Sequence, residues 1–389
     1  MAAPKPALAV AAVAALRAGG LATRALPALI SRSLGPAARP PYRVSPGARA
    51  LHERLRIADL HADSLLPGRD LALRSRSGSI DVPRLLDGNV AVQVLSAATA
   101  FPIPPRMEGN DGRRDAITAL AVLGRWPRRT WRSRFARALL VAERARRLEA
   151  ATDRRFVVVR SAGDLAAHLA RREADGRIAA GVLSIEGAHA LDGDLANLRL
   201  LVEAGYRILG LTHLGDNEFA GSAHGLARHG LTPLGRDLVA RLEASSILVD
   251  VAHASVRTID DVLTVASRPV IASHTGVTAT CPSPRNLSDA QLRGIAATGG
   301  VVGIGFWPTA TCGHDAAAIA RSIVHAISIV GPDHVALGSD FDGAPGIPFD
   351  ASGLALLTEA LLADGLDEAA IRRVMGENVL TLLARTLPS

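Results

Sequence analysis

The chain has 389 residues, 48% of them hydrophobic, and a formal charge of +7, which is length and apolar content for one large α/β barrel or a few smaller domains. Its basic side chains are arginines apart from Lys5, and aromatic residues make up 3%, so the excess charge reads as a compositional bias and nucleic acid is not an expected partner. Cys281 and Cys312 form no CxxC pair, which excludes a structural zinc knuckle and leaves one disulfide open but not indicated. The first acidic residue is Glu53. Before it come Lys5, the apolar run Ala7 to Leu16, Arg17, Arg24 and Arg32, and a proline-rich stretch ending near Gly47. A basic start followed by a short apolar run resembles a secretory signal, and ten apolar residues are too few to span a bilayer. Residues 1–44 are therefore expected to be a leader that directs export or weak membrane anchoring, on the periplasmic side of a bacterium. A basic leader on a cytoplasmic protein is the alternative.

Folded structure is expected over 45–389. Leu55 to Leu60 reads as a buried strand that runs into His61, Ala62 and Asp63, placing an imidazole and a carboxylate two residues apart at a strand end. Asn89 to Ser96 is a second strand. The arginine-rich segment from Phe101 to Arg155 reads as a pair of solvated amphipathic helices without chemistry of its own, and Ser161 with Asp164 as a capping box opening the next helix. Ala180 to Ile185 is a third strand ending at Glu186, and Arg207 to Leu211 a fourth ending at Thr212 and His213.

Ile247 to Val251 and Pro269 to Ser273 are short branched strands around a helical pattern from Val256 to Ala266, and each ends in a histidine, His253 and His274. Parallel strands deliver those ends to one edge. Val301 to Phe306 leads to Trp307, and Val335 to Gly338 leads to Asp340. Eight strand and helix units with metal-ligand residue types at the ends of strands one, three, four, five, six and eight predict a (β/α)8 TIM barrel with its active site on that face.

His61, Asp63, Glu186, His213, His253, His274 and Asp340 offer nitrogen and oxygen but no thiolate, which suits zinc in a catalytic role, with manganese or iron behind it. Five of them, His61, Asp63, Glu186, His253 and His274, exceed what one tetrahedral zinc uses, and a central carboxylate can bridge two ions. The expected class is metal-assisted hydrolysis. Rival signatures are missing: His52-Glu53 lacks a second histidine at the helical zinc-protease spacing, and neither a GxSxG elbow nor a Walker loop occurs. A Cys281/His274 thiol pair lacks a third orienting group.

The motifs DLHADSLL, LSIEGAH, LTHLGDNEFAGSAHG, LVDVAHAS, VIASHTG, PSPRNLSD and GSDFDG, in that order, resemble the membrane dipeptidase (renal dipeptidase) family, peptidase family M19, and most closely its bacterial members. The resemblance covers Ser45 to the C-terminus. It implies a metal-dependent-hydrolase TIM barrel with two Zn2+ ions, His61 and Asp63 on one, His253 and His274 on the other, and Glu186 bridging. It further implies that His213 stabilises the oxyanion, Arg285 holds the substrate's terminal carboxylate and Asp340 handles the proton. Trp307 falls at a substrate-facing position where mammalian members carry tyrosine, and the 101–155 segment matches no motif. The expected activity is hydrolysis of dipeptides by a metal-bridging hydroxide. The alternatives are the same fold acting on N-acyl amino acids or lactams, and a non-catalytic metal-binding barrel. The expected partners are a small dipeptide and, through the N-terminus, a membrane; a homodimer is left open.

Overall fold

A computed structural model describes residues 32–112 and 114–389. Most of the expected leader, including the Ala7 to Leu16 run, lies outside the described residues. Nine strands run β1 (Ile57–Asp59), β2 (Val90–Ala98), β3 (Phe156–Val158), β4 (Ala179–Glu186), β5 (Tyr206–Gly210), β6 (Leu248–Asp250), β7 (Val270–Thr275), β8 (Val302–Ile304) and β9 (Val335–Leu337). All pairings between them are parallel, and β1 pairs both β2 and β9 while β2 pairs β4, so eight strands close into a barrel. The (β/α)8 expectation holds.

The ninth strand is an addition. Phe156–Val158 pairs the first three residues of β4, which then passes on to β5 from Leu183. Three residues carry no readable period, and the arginine-rich segment before them has a helical one.

Apart from Val157 in the edge strand β3, every strand residue is buried, as parallel strands with helices outside them must be. The barrel interior holds Ala58, Val92, Val94, Ala180, Val182, Ile208, Leu248, Ile271 and Ala336, and the larger cluster lies between sheet and helices. Helix starts follow their caps. Ser161 and Asp164 form the reciprocal capping box, and Ser255 accepts from Thr258 N at the helix Val256–Val265.

The solvated reading of the 101–155 segment needs correction. Helices Ala116–Leu123 and Arg134–Ala151 do form, but Arg137 is among the largest fully buried side chains. Its guanidinium pairs with Asp115 and donates to Thr99 O and Thr130 O, each at 2.7 Å. A buried charge is tolerable only when paired and hydrogen-bonded in this way. The effect is to fasten the loop after β2 at both its ends, and that loop borders the mouth of the barrel. At the other end of the chain, Ala37 N and Ala38 N donate to Ile347 O and Pro348 O, so residues 34–42 lie along the barrel wall.

Cys281 and Cys312 form a disulfide, which the sequence left open. The pairing removes Cys281 as a thiol nucleophile.

Candidate active site

The expected metal-binding and proton-handling residues sit at the strands' C-terminal ends, with Trp307 just past β8 and Arg285 on the loop after β7, and the chain turns sharply at several of them. His253, Asp340 and Asp342 all have φ near +60° (63°, 59° and 63°), a left-handed conformation that non-glycine residues adopt only when the surroundings impose it. The imposing contacts are visible. Asp59, buried at the end of β1, accepts from Ser339 N at 2.8 Å and from Gln93 Nε2 at 2.8 Å, tying β1, β2 and β9 together. Asp250 accepts from Ala252 N and Ser273 N, both at 2.9 Å, which joins the ends of β6 and β7.

Glu186 is the centre. Its Oε1 lies 2.9 Å from His253 Nε2, 3.4 Å from His274 Nε2 and 3.6 Å from His61 Nε2, while Oε2 lies 3.4 Å from His213 Nε2. His61 Nε2 is 3.9 Å from Asp63 Oδ2. Among the described residues, three groups of ligand atoms converge: His61 with Glu186 and His274, Glu186 with His213 and His253, and His61 with Asp63 and Asp340. Glu186 belongs to two of them and His61 to two.

The rings are oriented from behind. His274 Nδ1 lies 2.9 Å from Ser273 Oγ, and His213 Nδ1 lies 3.0 Å from Ala100 O. A carbonyl only accepts, so His213 carries its proton on Nδ1 and turns Nε2 inward. His224 does likewise through Met107 O at 2.8 Å, and its ring stands 5.2 Å from that of His253. Ser273, Asp250 and His224 were not expected from the sequence. For His224, the signal was its place in the polar glycine-rich loop after β5.

Electrostatics show what the site lacks. Burial, then the charge of Asp63, raises Glu186 well above the ordinary carboxylate range. Burial and Asp63 likewise raise Asp340 against the pull of His61 and Arg285. Burial works against protonation of His61, but Glu186, Asp63 and Asp340 together push its imidazole up to about 10. Three carboxylates thus compete for scarce positive charge. His61 Nε2, Asp63 Oδ1 and Glu186 Oε2 are buried without hydrogen-bond partners. Orphaned nitrogen and oxygen donors around a deficit of cation are what resident metal ions would satisfy, so the donor set fits the group that the composition of the site implies. A side chain at Gly343 would strike Asp340 Oδ1 and Asp63 Oδ2, so the glycine keeps room for both carboxylates.

Arg285 is buried beside this cluster. It donates to His274 O, its Nε is without a partner, and its Cζ lies 5.9 Å from the ring centre of Trp307. Trp307 in turn meets His274 edge-on at 5.8 Å. The loop carrying Arg285 is held to the segment after Trp307 by the disulfide and by Asn286, whose Nδ2 donates to Cys281 O at 2.7 Å and Ala310 O at 3.0 Å.

A model of the membrane dipeptidase family, peptidase family M19, matches residues 46–386. The chain belongs to that family. A 36% identity over 247 residues links it to an uncharacterized protein in the pqqA 5' region of Klebsiella pneumoniae, covering 58% of this chain and 91% of that one. It is 33% identical over 214 residues to a dipeptidase of Claviceps purpurea, covering 52% of this chain and only 50% of that relative's length. Among solved structures it is similar to a metallopeptidase of Rhodobacter sphaeroides liganded with a phosphinate mimic of the dipeptide L-Ala-D-Ala, with a TM-score of 0.72, 29% identity and coverage of 85% and 99%. The dipeptidase AC, a metallopeptidase of family M19, matches with a TM-score of 0.70, 29% identity and coverage of 86% and 99%. Membership of the M19 family makes the chain a hydrolase of the metal-dependent dipeptidase class, and the convergent His, Asp and Glu groups are where its metal would sit.

Proposed function

We propose that this M19 chain is a binuclear zinc dipeptidase in which His61 and Asp63 hold one ion, His253 and His274 the other, and Glu186 both. The observation that carries the proposal is the position of Glu186 Oε1, within 3.6 Å of imidazole nitrogens from both halves of the set. When bound, the ions would supply Lewis acidity and an activated water at neutral pH.

The protein's own groups would do the rest. Arg285 presents unpaired N–H to the substrate's terminal carboxylate, and Trp307 forms the wall behind it. His213 faces the scissile carbonyl with Nε2. Because Nδ1 already donates to Ala100 O, Nε2 donates to a developing oxyanion only as the imidazolium, so a proton must be available to this ring during the attack. Asp340 is placed to supply and return protons, since burial and Asp63 favour its protonated form. The mimic of L-Ala-D-Ala bound by the Rhodobacter sphaeroides neighbour supports a dipeptide as substrate. Zinc analysis together with a panel of free dipeptides, including L-Ala-D-Ala, tests the reading; metal-loaded protein that releases no amino acid from any of them would overturn it.

The same proposal places the protein outside the cytoplasm. Its support is the basic, acid-free start and the Cys281–Cys312 bond, because disulfides persist in oxidising compartments. Among the described residues, no helix is long and apolar enough to cross a membrane. Fractionation of the native host that found the unprocessed chain wholly among cytoplasmic proteins would reject this placement.

A further inference from the structure

On the His213 side of the site lies a cavity of about 90 Å³, with Phe101, Arg114, Arg134, His189, His213 and Glu218 in its lining. His189 follows Glu186 by three residues, and its ring packs over the Gly187 turn, where φ is +99°. It is buried, yet its Nε2 has no hydrogen-bond partner. Burial, then the charge of Arg134, keeps the ring neutral, so it can give one hydrogen bond to an acceptor without bringing a charge.

The cavity's charges are mostly spoken for, and the least exposed of those left over, Arg134, is positive. Asp115 is engaged by Arg137, Phe101 N, Ile117 N and Thr118 Oγ1. Asp216 accepts from the backbone N–H groups of Ser222, Ala227 and Arg228. Glu218 is exposed to water. Arg134 and Arg114 enter no ion pair among the described residues, and Arg134 and His189 line the same cavity.

The cavity also lies away from Arg285. Its lining includes His213 but neither Arg285 nor Trp307. His213 therefore stands between two cationic ends. A substrate whose terminal carboxylate meets Arg285 and whose scissile bond meets His213 extends its amino-terminal residue toward His189 and Arg134.

We propose that this cavity is the subsite for the amino-terminal side chain of the substrate, and that Arg134, with His189 beside it, selects a carboxylate there. The inference rests on the dipeptidase reading. A guanidinium and a neutral N–H donor at a partly desolvated wall recognise an acidic side chain and disfavour an ammonium.

Steady-state kcat/KM of the zinc-loaded full chain on Glu-Ala, Ala-Ala and Lys-Ala tests it. Glu-Ala is expected to exceed Ala-Ala by about tenfold, with Lys-Ala lowest. Arg134→Gln should bring the Glu-Ala to Ala-Ala ratio close to one, and Arg134→Glu should turn the order toward Lys-Ala. Arg134 is a partly exposed first-turn residue, so both variants should fold. Wild-type protein that cleaves Ala-Ala as well as Glu-Ala, or a preference for Glu-Ala that survives Arg134→Gln, overturns the subsite while leaving the dipeptidase reading intact. Failure to cleave all three peptides overturns both.

Discussion

His253 Nε2 and Glu186 Oε1 stand 2.9 Å apart, although they come from the ends of β6 and β4 and have no common neighbour in sequence. The same oxygen is 3.4 Å from His274 Nε2 and 3.6 Å from His61 Nε2, so one carboxylate touches every imidazole assigned to metal. Removing it acts on the whole set. Glu186→Ala should therefore lower zinc content at both positions, whereas His274→Ala should lower it chiefly at one. Elemental analysis of purified variants checks this, and full retention of one ion in Glu186→Ala would show that the carboxylate is not shared.

Asp340 is close to Asp63 and His61 but belongs to only one of the three converging groups. Asn at this position keeps the size and hydrogen bonding and removes the ability to carry a proton. With metal content largely kept, Asp340→Asn should lower kcat by roughly 10²- to 10⁴-fold. Near-normal turnover would remove Asp340 from the proton path, and loss of metal would make it a ligand.

Arg285 is buried, and its Nε lacks a partner. If that donor serves the substrate's terminal carboxylate, Arg285→Ala should cost about 2 to 5 kcal/mol in kcat/KM for a free dipeptide. A dipeptide amide should be a poor substrate for the wild type and lose little more in the variant, since both changes remove one interaction. Equal fold losses for acid and amide would show that Arg285 does not read the terminus.

Far from the site, His52 is buried with Nδ1 2.8 Å from Thr358 Oγ1 and Nε2 3.1 Å from Gly88 O. Gly88 O requires the proton on Nε2, which leaves Nδ1 to accept from the hydroxyl, a neutral ring. Burial lowers its folded pKa from 6.5 to about 4. Between those values the unfolded chain binds the extra proton, so stability falls as the pH drops through about 6.5 and the loss is complete below about 4. The difference corresponds to about 3 kcal/mol at most. Urea denaturation at pH 7, 5.5 and 4 should show this loss in the wild type and less of it in His52→Gln, and parallel pH dependences would assign it elsewhere. Comparing the two chains removes any contribution from metal release, which both share.

The convergence of these side chains was legible because a parallel barrel converts sequence order into spatial proximity: short apolar runs ending in His61, Glu186, His213, His253, His274 and Asp340 had one architecture that brought all of them together. β3 was not legible, since three residues hold no period and its pairing with β4 is a long-range choice. Nor was Arg137. A sequence rich in exposed arginines gives no sign of which one is buried, because that depends on Asp115 and two loop carbonyls arriving from elsewhere.

The sequence by itself determined the barrel, the family, the face on which chemistry occurs and the residue types available there, for these follow from strand period and from the order of motifs. Tertiary structure alone decided which groups share Glu186, that Cys281 meets Cys312, that Ala100 O directs His213 Nε2 inward, and that His189 and Arg134 border one cavity. The physical reason is range. Periodicity and capping are set within a few residues, whereas a ligand distance, a ring's tautomer and a cavity's unpaired charge depend on how separate strand ends and loops come to rest against each other.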